Sequence, residues 1–226
     1  ALYTIEQKII GRLLRLDKLK RLGGLYVIID TDLLKERNHV EVARQTIEGG
    51  ARTIQLRDKT TGKRDLLAVA HRLKLLCEEH NVLFIVNDHL DIVLETDADG
   101  LHVGQEDLPA AAARKLLPLD KILGVSARAV ELAQKAQADG ADYIGVGAMY
   151  PTLSKVKTVV VGLERLQQIR QAVSLPLVAI GGINQDNAAD VISAGAASVA
   201  VMGYILNAPS PEEAARQIVA RLGDDK

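Results

Sequence analysis

The sequence predicts an α/β fold, a single (β/α)8 TIM barrel with an N-terminal helical extension. Eight short apolar segments alternate with eight helical patterns, which is typical of a parallel sheet whose strands are joined by helices. The apolar segments show little polar alternation, as expected for strands that are buried on both faces. Eight such units over about 200 residues suit a compact barrel. A doubly wound sheet is the alternative, but no Gly-x-Gly-x-x-Gly follows the first strand.

The order of the elements follows from the apolar periodicity. Apolar residues at three- and four-residue steps predict a helix from Ile5 to Leu22, before the barrel begins. Glycines at 50, 140 and 195 mark the ends of three later helices, each just before a strand. The predicted strands are Leu25–Asp30, Thr53–Arg57, Leu83–Asp88, Gly100–Gly104, Ile122–Ser126, Tyr143–Gly147, Leu177–Gly181 and Ser198–Met202. The predicted helices are Val40–Glu48, Lys63–His80, Leu90–Thr96, Ala110–Leu117, Val130–Ala138, Leu163–Ala172, Asn187–Ser193 and Glu212–Leu222.

Composition narrows the class of protein. The 226 residues carry a net charge of −1, so no overall field favours nucleic acid or an anionic membrane, and we expect small-molecule partners. The single cysteine, Cys77, excludes an internal disulfide and fits a reducing cytoplasm. Glu78 and Glu79 follow it, so we interpret Cys77 as a packing residue rather than a reactive thiol. No secretory signal and no apolar run of about 18 residues is present. The oligomeric state stays open, a homo-oligomer included.

Two carboxylates follow neighbouring strands and form a candidate metal site. Asp88 ends the third predicted strand and Asp107 follows the fourth. Adjacent strands lie about 4.8 Å apart, so both side chains can reach one cation at the carboxyl rim of a barrel. Oxygen ligands without paired histidines or cysteines favour Mg²⁺ over Zn²⁺. Taken singly, each aspartate is better explained as a helix N-cap, because each precedes a predicted helix.

Cations gather at the same rim. Arg57 and Lys59 are two residues apart, so on an extended strand their side chains point the same way and can hold phosphate. The alternative is a solvated strand end that pairs with Asp58 or Asp65. Lys155 lies in a loop that is longer than a barrel connection needs, and such loops often close over substrate.

Glycine turns follow the last two predicted strands, where such barrels frequently bind phosphate. Gly181-Gly182 ends the seventh strand, and Met202-Gly203 ends the eighth. No two histidines have metal-ligand spacing, and His89 is the one candidate for a catalytic histidine because it follows Asp88. His102 lies inside the fourth predicted strand.

The chain resembles the thiamin-phosphate synthase family in seven motifs that run in the family's order across residues 25–206. These are Gln55-Leu-Arg-x-Lys59, Asn87-Asp88, His102-Val-Gly-Gln105-x-Asp107, Gly124-Val-Ser126, Tyr143-Ile-Gly-Val-Gly147, Pro151-Thr-x-Ser-Lys155 and Val178-Ala-Ile-Gly-Gly-Ile183. The resemblance implies a cytoplasmic transferase of thiamine biosynthesis. Such an enzyme joins hydroxymethylpyrimidine diphosphate to hydroxyethylthiazole phosphate with Mg²⁺, through a pyrimidine cation, and releases pyrophosphate.

The resemblance also implies residue roles. Lys155, Ser126 and Arg57 become the candidate catalytic residues. The pyrimidine diphosphate would be held by Gln55, Arg57, Lys59, Asn87, Ser126 and Lys155, the thiazole phosphate by Thr152, Ser154, Gly181, Gly182, Met202 and Gly203, and Mg²⁺ by Asp88 and Asp107.

The chain departs from the family's pattern at several positions. His89 stands where the family usually has Arg, and Gly203 where it usually has Ser. Residues 1–6 resemble the tail of a helical region that precedes the barrel in some longer members, and the first residue is Ala1. We therefore expect 1–22 to be the end of a longer extension and 23–226 to be the catalytic domain.

Three rival functions remain from the sequence. A thiazole tautomerase shares the barrel but generally lacks the paired aspartates. A ligand-binding paralogue without turnover would not need the cations and carboxylates together. A generic phosphate-binding isomerase would need an acid–base pair, and none stands out in the sequence.

Overall fold

The computed structural model describes residues 2–151 and 159–223 and shows a closed barrel of eight parallel strands in sequential order. The predicted (β/α)8 barrel is therefore confirmed, and the doubly wound alternative is wrong. The strands are β1 Gly24–Asp30, β2 Thr53–Arg57, β3 Leu83–Asn87, β4 Gly100–Val103, β5 Ile122–Ser126, β6 Tyr143–Gly147, β7 Leu177–Ile180 and β8 Ser198–Val201. Strand β1 pairs with both β2 and β8, which closes the ring.

Helices follow the strands at nearly the predicted places. They are α1 Leu2–Lys20, α2 Thr31–Leu34, α3 His39–Glu48, α4 Lys63–Glu79, α5 Leu90–Thr96, α6 Ala110–Leu116, α7 Val130–Ala138, α8 Gly162–Ala172, α9 Ala188–Ser193, α10 Gly203–Leu206 and α11 Pro211–Leu222. Predicted and observed bounds differ by at most one residue in every predicted element except α1, which begins three residues and ends two residues before its predicted bounds. The short helices α2 and α10 were not predicted, because four residues are too few to show a helical period.

Two apolar layers hold the barrel together. The outer layer lies between the strands and the helices, and Cys77 is fully buried in it, which confirms its predicted packing role. The inner layer fills the barrel and includes Leu22, Ile85, Ile122 and Val178. Strand residues are buried on both faces, and this explains why their sequence shows little alternation.

Helix α1 lies against the amino-terminal end of the barrel. Lys18 pairs with Asp99 at 3.3 Å and with Asp120 at 3.4 Å, residues that precede β4 and β5. Arg15 lies 3.5 Å from Asp142, which precedes β6. The helix thus contacts the end opposite the predicted rim. Within the described residues, no helix is long and apolar enough to span a bilayer.

Candidate active site

A cavity of about 740 Å³ opens at the carboxyl ends of the strands. Its lining includes Pro151 and Val159, which flank the stretch 152–158, so the predicted site residues Thr152, Ser154 and Lys155 lie outside the described residues. Every other predicted site residue lines this one cavity: Gln55, Arg57, Lys59, Asn87, Asp88, Asp107, Ser126, Gly181, Gly182, Met202 and Gly203. The parallel register brings these residues together, because all the strands end at the same rim.

The two aspartates share one corner of the cavity with Lys59. The Asp88 carboxylate forms an ion pair with Lys59, and Asp107 Oδ1 lies 3.9 Å from Lys59 Nζ. Asp107 Oδ2 accepts a hydrogen bond of 2.8 Å from the Gly104 N–H. Asp88 Oδ1 is buried without a hydrogen-bond partner, which is costly for a carboxylate oxygen. This corner can therefore accept a cation.

Neither aspartate caps a helix, so the single-residue interpretation as N-caps is wrong. The N-cap of α5 is His89 and that of α6 is Pro109, and no side chain caps either helix. Asp88 instead has φ 63°, a left-handed conformation that non-glycine residues seldom adopt. The conformation comes at the end of β3, where the Asp88 N–H donates to the His102 carbonyl on β4.

The carboxyl groups of the pair have opposite pKa shifts. Burial, assisted by the neighbouring Asp107 carboxyl and opposed by Lys59, raises the pKa of Asp88. Burial also acts to raise the pKa of Asp107, but hydrogen bonds from Asp88 and the Gly104 N–H and the charge of Lys59 outweigh it, so this pKa is lowered.

Arg57 and Lys59 both line the cavity, as their spacing predicted. The alternative that they pair with Asp58 or Asp65 is wrong. Arg57 forms an ion pair with buried Asp30, the last residue of β1, and Lys59 pairs with the carboxylates described above. Asp58 is not among the residues that line the cavity, and it accepts from the Thr31 hydroxyl and two backbone N–H groups.

The floor of the cavity holds polar groups that the sequence analysis did not assign to the site. Gln55 Nε2 donates to the Tyr26 hydroxyl, which contacts the Tyr143 hydroxyl at 3.1 Å. The Tyr143 hydroxyl lies 3.0 Å from His102 Nδ1, and His102 Nε2 lies 2.9 Å from Ser126 Oγ. His102 was interpreted only as a strand residue, and the tyrosines were concealed in apolar runs. Because side chains alternate along a strand, each of these residues is at a position that points into the barrel, and this alternation could have identified them.

The glycine turn after β7 is tightly packed. Gly181 has φ 100° and Gly182 has φ 69°, conformations that L side chains rarely adopt. A Cβ at Gly181 would lie 2.5 Å from Ala148 Cβ, and one at Gly182 would lie 2.7 Å from the Pro151 carbonyl oxygen. The turn therefore presents backbone to the cavity and leaves no room for side chains.

His89, the predicted candidate for a catalytic histidine, does not line the cavity among the described residues. Its Nδ1 lies 3.0 Å from Lys63 Nζ, and its Nε2 lies 3.3 Å from the Asp58 carbonyl oxygen. These contacts join the loop after β2 to the loop after β3. We therefore regard His89 as a loop-positioning residue.

The fold and the cavity define a class, the (β/α)8-barrel enzymes whose active site lies at the carboxyl ends of the strands. A family model described as thiamine monophosphate synthase matches residues 25–205. The thiamine-phosphate synthase of Methanospirillum hungatei is 46% identical over 86% of this chain and 95% of its own, and that of Moorella thermoacetica is 49% identical over 86% and 93%. The solved thiamine phosphate pyrophosphorylase of Pyrococcus furiosus superposes with a TM-score of 0.80, at 38% identity, over 88% of this chain and 94% of that one.

The chain belongs to the thiamine monophosphate synthase family, and it is a transferase. The predicted family and enzyme class are confirmed. A geranylgeranylglyceryl phosphate synthase from Thermoplasma acidophilum, at 15% identity and a TM-score of 0.67 over 91% of this chain and 96% of that one, shares the barrel fold.

Proposed function

We propose that this enzyme joins hydroxymethylpyrimidine diphosphate to hydroxyethylthiazole phosphate and releases pyrophosphate. The observation that carries the proposal is the division of one cavity. Lys59 and two carboxylates lie at the ends of β2 to β4, and the backbone turn at Gly181-Gly182 lies at the end of β7. A metal-bound diphosphate suits the first region, and a monophosphate held by N–H groups suits the second.

The diphosphate end depends on cations that the barrel holds in place. Buried Asp30 orients the Arg57 guanidinium, which can clamp phosphate oxygens through its planar fork, and Lys59 adds a point charge. Asn87, at the end of β3, offers an amide to the same substrate. Lys155 is proposed as a further cation on the leaving group.

Mg²⁺ fits the carboxylate corner. Asp88 Oδ1 is a buried oxygen without a hydrogen-bond partner, and Asp107 supplies a second carboxylate beside it. Mg²⁺ commonly binds one or two carboxylates and completes its coordination shell with substrate phosphate and water. Bound there, Mg²⁺ would neutralise charge on the departing pyrophosphate. Lys59 would then move from the carboxylates toward the phosphates.

The reaction needs positioning more than proton transfer. The bond from the methylene carbon to the diphosphate oxygen breaks with its electron pair leaving on pyrophosphate, and the pyrimidine amino group stabilises the cation that remains. The thiazole nitrogen lone pair then forms the new C–N bond, so no proton has to move. Gln55 and Ser126 hold the pyrimidine, and the enzyme contributes orientation and charge neutralisation.

The thiazole phosphate is proposed to bind across the cavity. The Gly181-Gly182 turn and the first turn of α10 at Met202-Gly203 offer backbone N–H groups, and Thr152 and Ser154 offer hydroxyls.

On this proposal residues 23–226 form the catalytic domain and 1–22 are a helical extension. The enzyme works in the cytoplasm, in keeping with a single buried cysteine.

Pyrophosphate release with both substrates, measured against Mg²⁺ concentration, tests the proposal. We expect Asp88→Ala and Asp107→Ala each to lower turnover about 10³-fold, or roughly 4 kcal/mol of barrier. Asp91→Asn is the matched control, because Asp91 is an exposed carboxylate on α5 that pairs with Lys63 outside the cavity. Near-full activity of either cavity variant at limiting Mg²⁺ would contradict the metal assignment. No pyrophosphate release by the unaltered enzyme would contradict the function itself.

A further inference from the structure

Five side chains form one continuous hydrogen-bond chain across the cavity floor. It runs from Gln55 on β2 through Tyr26 on β1, Tyr143 on β6 and His102 on β4 to Ser126 on β5. The two tyrosines are 1% and 0% exposed, so solvent does not compete for their hydroxyls. Gln55 and Ser126, the two ends, line the cavity and can contact a ligand.

The barrel leaves space for this chain by placing glycines where strands β5 and β6 face it. A Cβ at Gly124 would lie 2.0 Å from Tyr143 Cζ and 2.5 Å from His102 Nδ1. A Cβ at Gly145 would lie 2.9 Å from His102 Cε1. Any other residue at these two positions would displace the His102–Tyr143 contact, so the two glycines are needed to make space for the hydrogen-bond chain.

The direction of each hydrogen bond follows from the one before it. Burial raises the pKa of both tyrosines, so each stays protonated and has a single proton to donate. Because Gln55 Nε2 donates to Tyr26, Tyr26 donates to Tyr143 and Tyr143 donates to His102 Nδ1. The His102 proton is then on Nε2 and is donated to Ser126 Oγ.

The Ser126 hydroxyl proton therefore remains free to point into the cavity. At the other end, Gln55 uses its Nε2 within the chain and has its Oε1 available as an acceptor. Rotating the Gln55 amide would reverse every bond, so that Gln55 would offer a donor and Ser126 an acceptor. The two ends cannot change independently.

We propose that Tyr26, Tyr143 and His102 are positioning residues that couple Gln55 to Ser126, so that the site selects a ligand with a donor at one edge and an acceptor at the other. An amino group and an unprotonated ring nitrogen match this pattern. The methoxy analogue of the same ring presents an ether oxygen and an unprotonated ring nitrogen, two acceptors, so neither direction of the hydrogen-bond chain matches it. The identity of the ligand as a diphosphate rests on the proposed function, but the coupling does not.

The His102 tautomer in the ligand-free enzyme is the first test, read by ¹⁵N NMR with the His102 signals assigned from their loss in His102→Gln. We expect the Nε2–H tautomer in the unaltered chain. Gln55→Glu puts a carboxylate, which only accepts, beside Tyr26, so we expect the proton to move to Nδ1. An Nδ1–H or imidazolium form of His102 in the unaltered protein, or an unchanged His102 tautomer in Gln55→Glu, would overturn the proposal.

Ligand selectivity is the second test and uses a variant that removes a single oxygen. Tyr143→Phe breaks the chain, so Gln55 and Ser126 can then orient separately. We expect the preference for the aminopyrimidine diphosphate over its methoxy analogue, measured as a ratio of dissociation constants without the thiazole phosphate, to fall at least about fivefold. Tyr150→Phe, which removes a hydroxyl outside the cavity lining, should leave the ratio unchanged.

An unchanged ratio in folded Tyr143→Phe, or an equal fall in Tyr150→Phe, would overturn the coupling. Neither test requires turnover. If the unaltered enzyme released no pyrophosphate while the His102 tautomer behaved as expected, the proposed function would fail and the coupling would stand.

Discussion

Gly181→Ala should damage the phosphate turn through two separable effects. Gly181 has φ 100°, where a non-glycine residue costs about 1–3 kcal/mol. Its new Cβ would lie 2.5 Å from Ala148 Cβ, whereas carbon atoms pack at about 3.5–4 Å, so the two loops must separate by roughly 1 Å. Such overpacking adds about 1–3 kcal/mol. We expect the free energy of unfolding, measured in urea, to fall by about 3 kcal/mol.

The loop that Gly181→Ala would displace is the one after β6, because the Tyr150 N–H donates to the Gly181 carbonyl at 3.0 Å. A shift of roughly 1 Å in a binding turn can cost about a hundredfold, so we expect the KM for the thiazole phosphate to rise at least about tenfold. The KM for the pyrimidine diphosphate should change little.

Two other glycines separate the backbone effect from the contact effect. Gly223 has φ 77°, and no atom of the described residues lies within 4 Å of the position that a Cβ would take, so Gly223→Ala measures the conformational cost alone, about 1 kcal/mol. Gly62 has φ −64° and equally open surroundings, so Gly62→Ala should change stability by less than about 0.5 kcal/mol. A loss in Gly181→Ala no larger than that in Gly223→Ala would refute the contact argument.

Three further predictions concern other regions. Burial acts to raise the pKa of Asp58, but hydrogen bonds from Thr31 and backbone N–H groups lower it to about 2. The ionised carboxylate therefore contributes about 1–2 kcal/mol to the free energy of unfolding, after solvent screening, above about pH 4, and this contribution is lost as the pH falls toward 2. Urea unfolding of Asp58→Asn should show no such loss of stability between about pH 4 and 2. Removing residues 1–20 should keep steady-state constants within about threefold but lower the Tm, because the Lys18 ion pairs are lost; a large fall in kcat would contradict this. Gly203→Ser should lower the thiazole phosphate KM at least about threefold with little change in kcat, and an unchanged KM would show that the glycine is a backbone requirement.

The sequence predicted the barrel because its signals are local. Apolar runs, helix periods and glycine junctions report on neighbouring residues, and the parallel register then places every strand end on one rim. That was sufficient to bring Arg57, Lys59, Asp88 and Asp107 together. Short helices such as α2 lack a period and were missed for the same reason.

Contacts between distant strands were not predictable in this way. The Asp30–Arg57 ion pair depends on the β1–β2 register, and the chain through His102 depends on five strands. The helix-cap interpretation of Asp88 failed because capping rules consider the residue and its helix, whereas the β3–β4 pairing sets its backbone. Long-range geometry, rather than residue type, distinguishes a ligand from a cap.

The left-handed backbone of Asp88 constrains how this enzyme can change over evolutionary time. Glu could supply the same carboxylate, but at φ 63° the short side chains of Asp and Asn, and Gly, are tolerated far better. Of these only Asp carries a charge. Asp107 does not have a left-handed backbone, so backbone conformation does not disfavour Glu at that position. Position 88 therefore favours Asp over Glu through its backbone conformation as well as through its charge, and Asp88→Glu would keep the carboxylate at a conformational cost of about 1–2 kcal/mol.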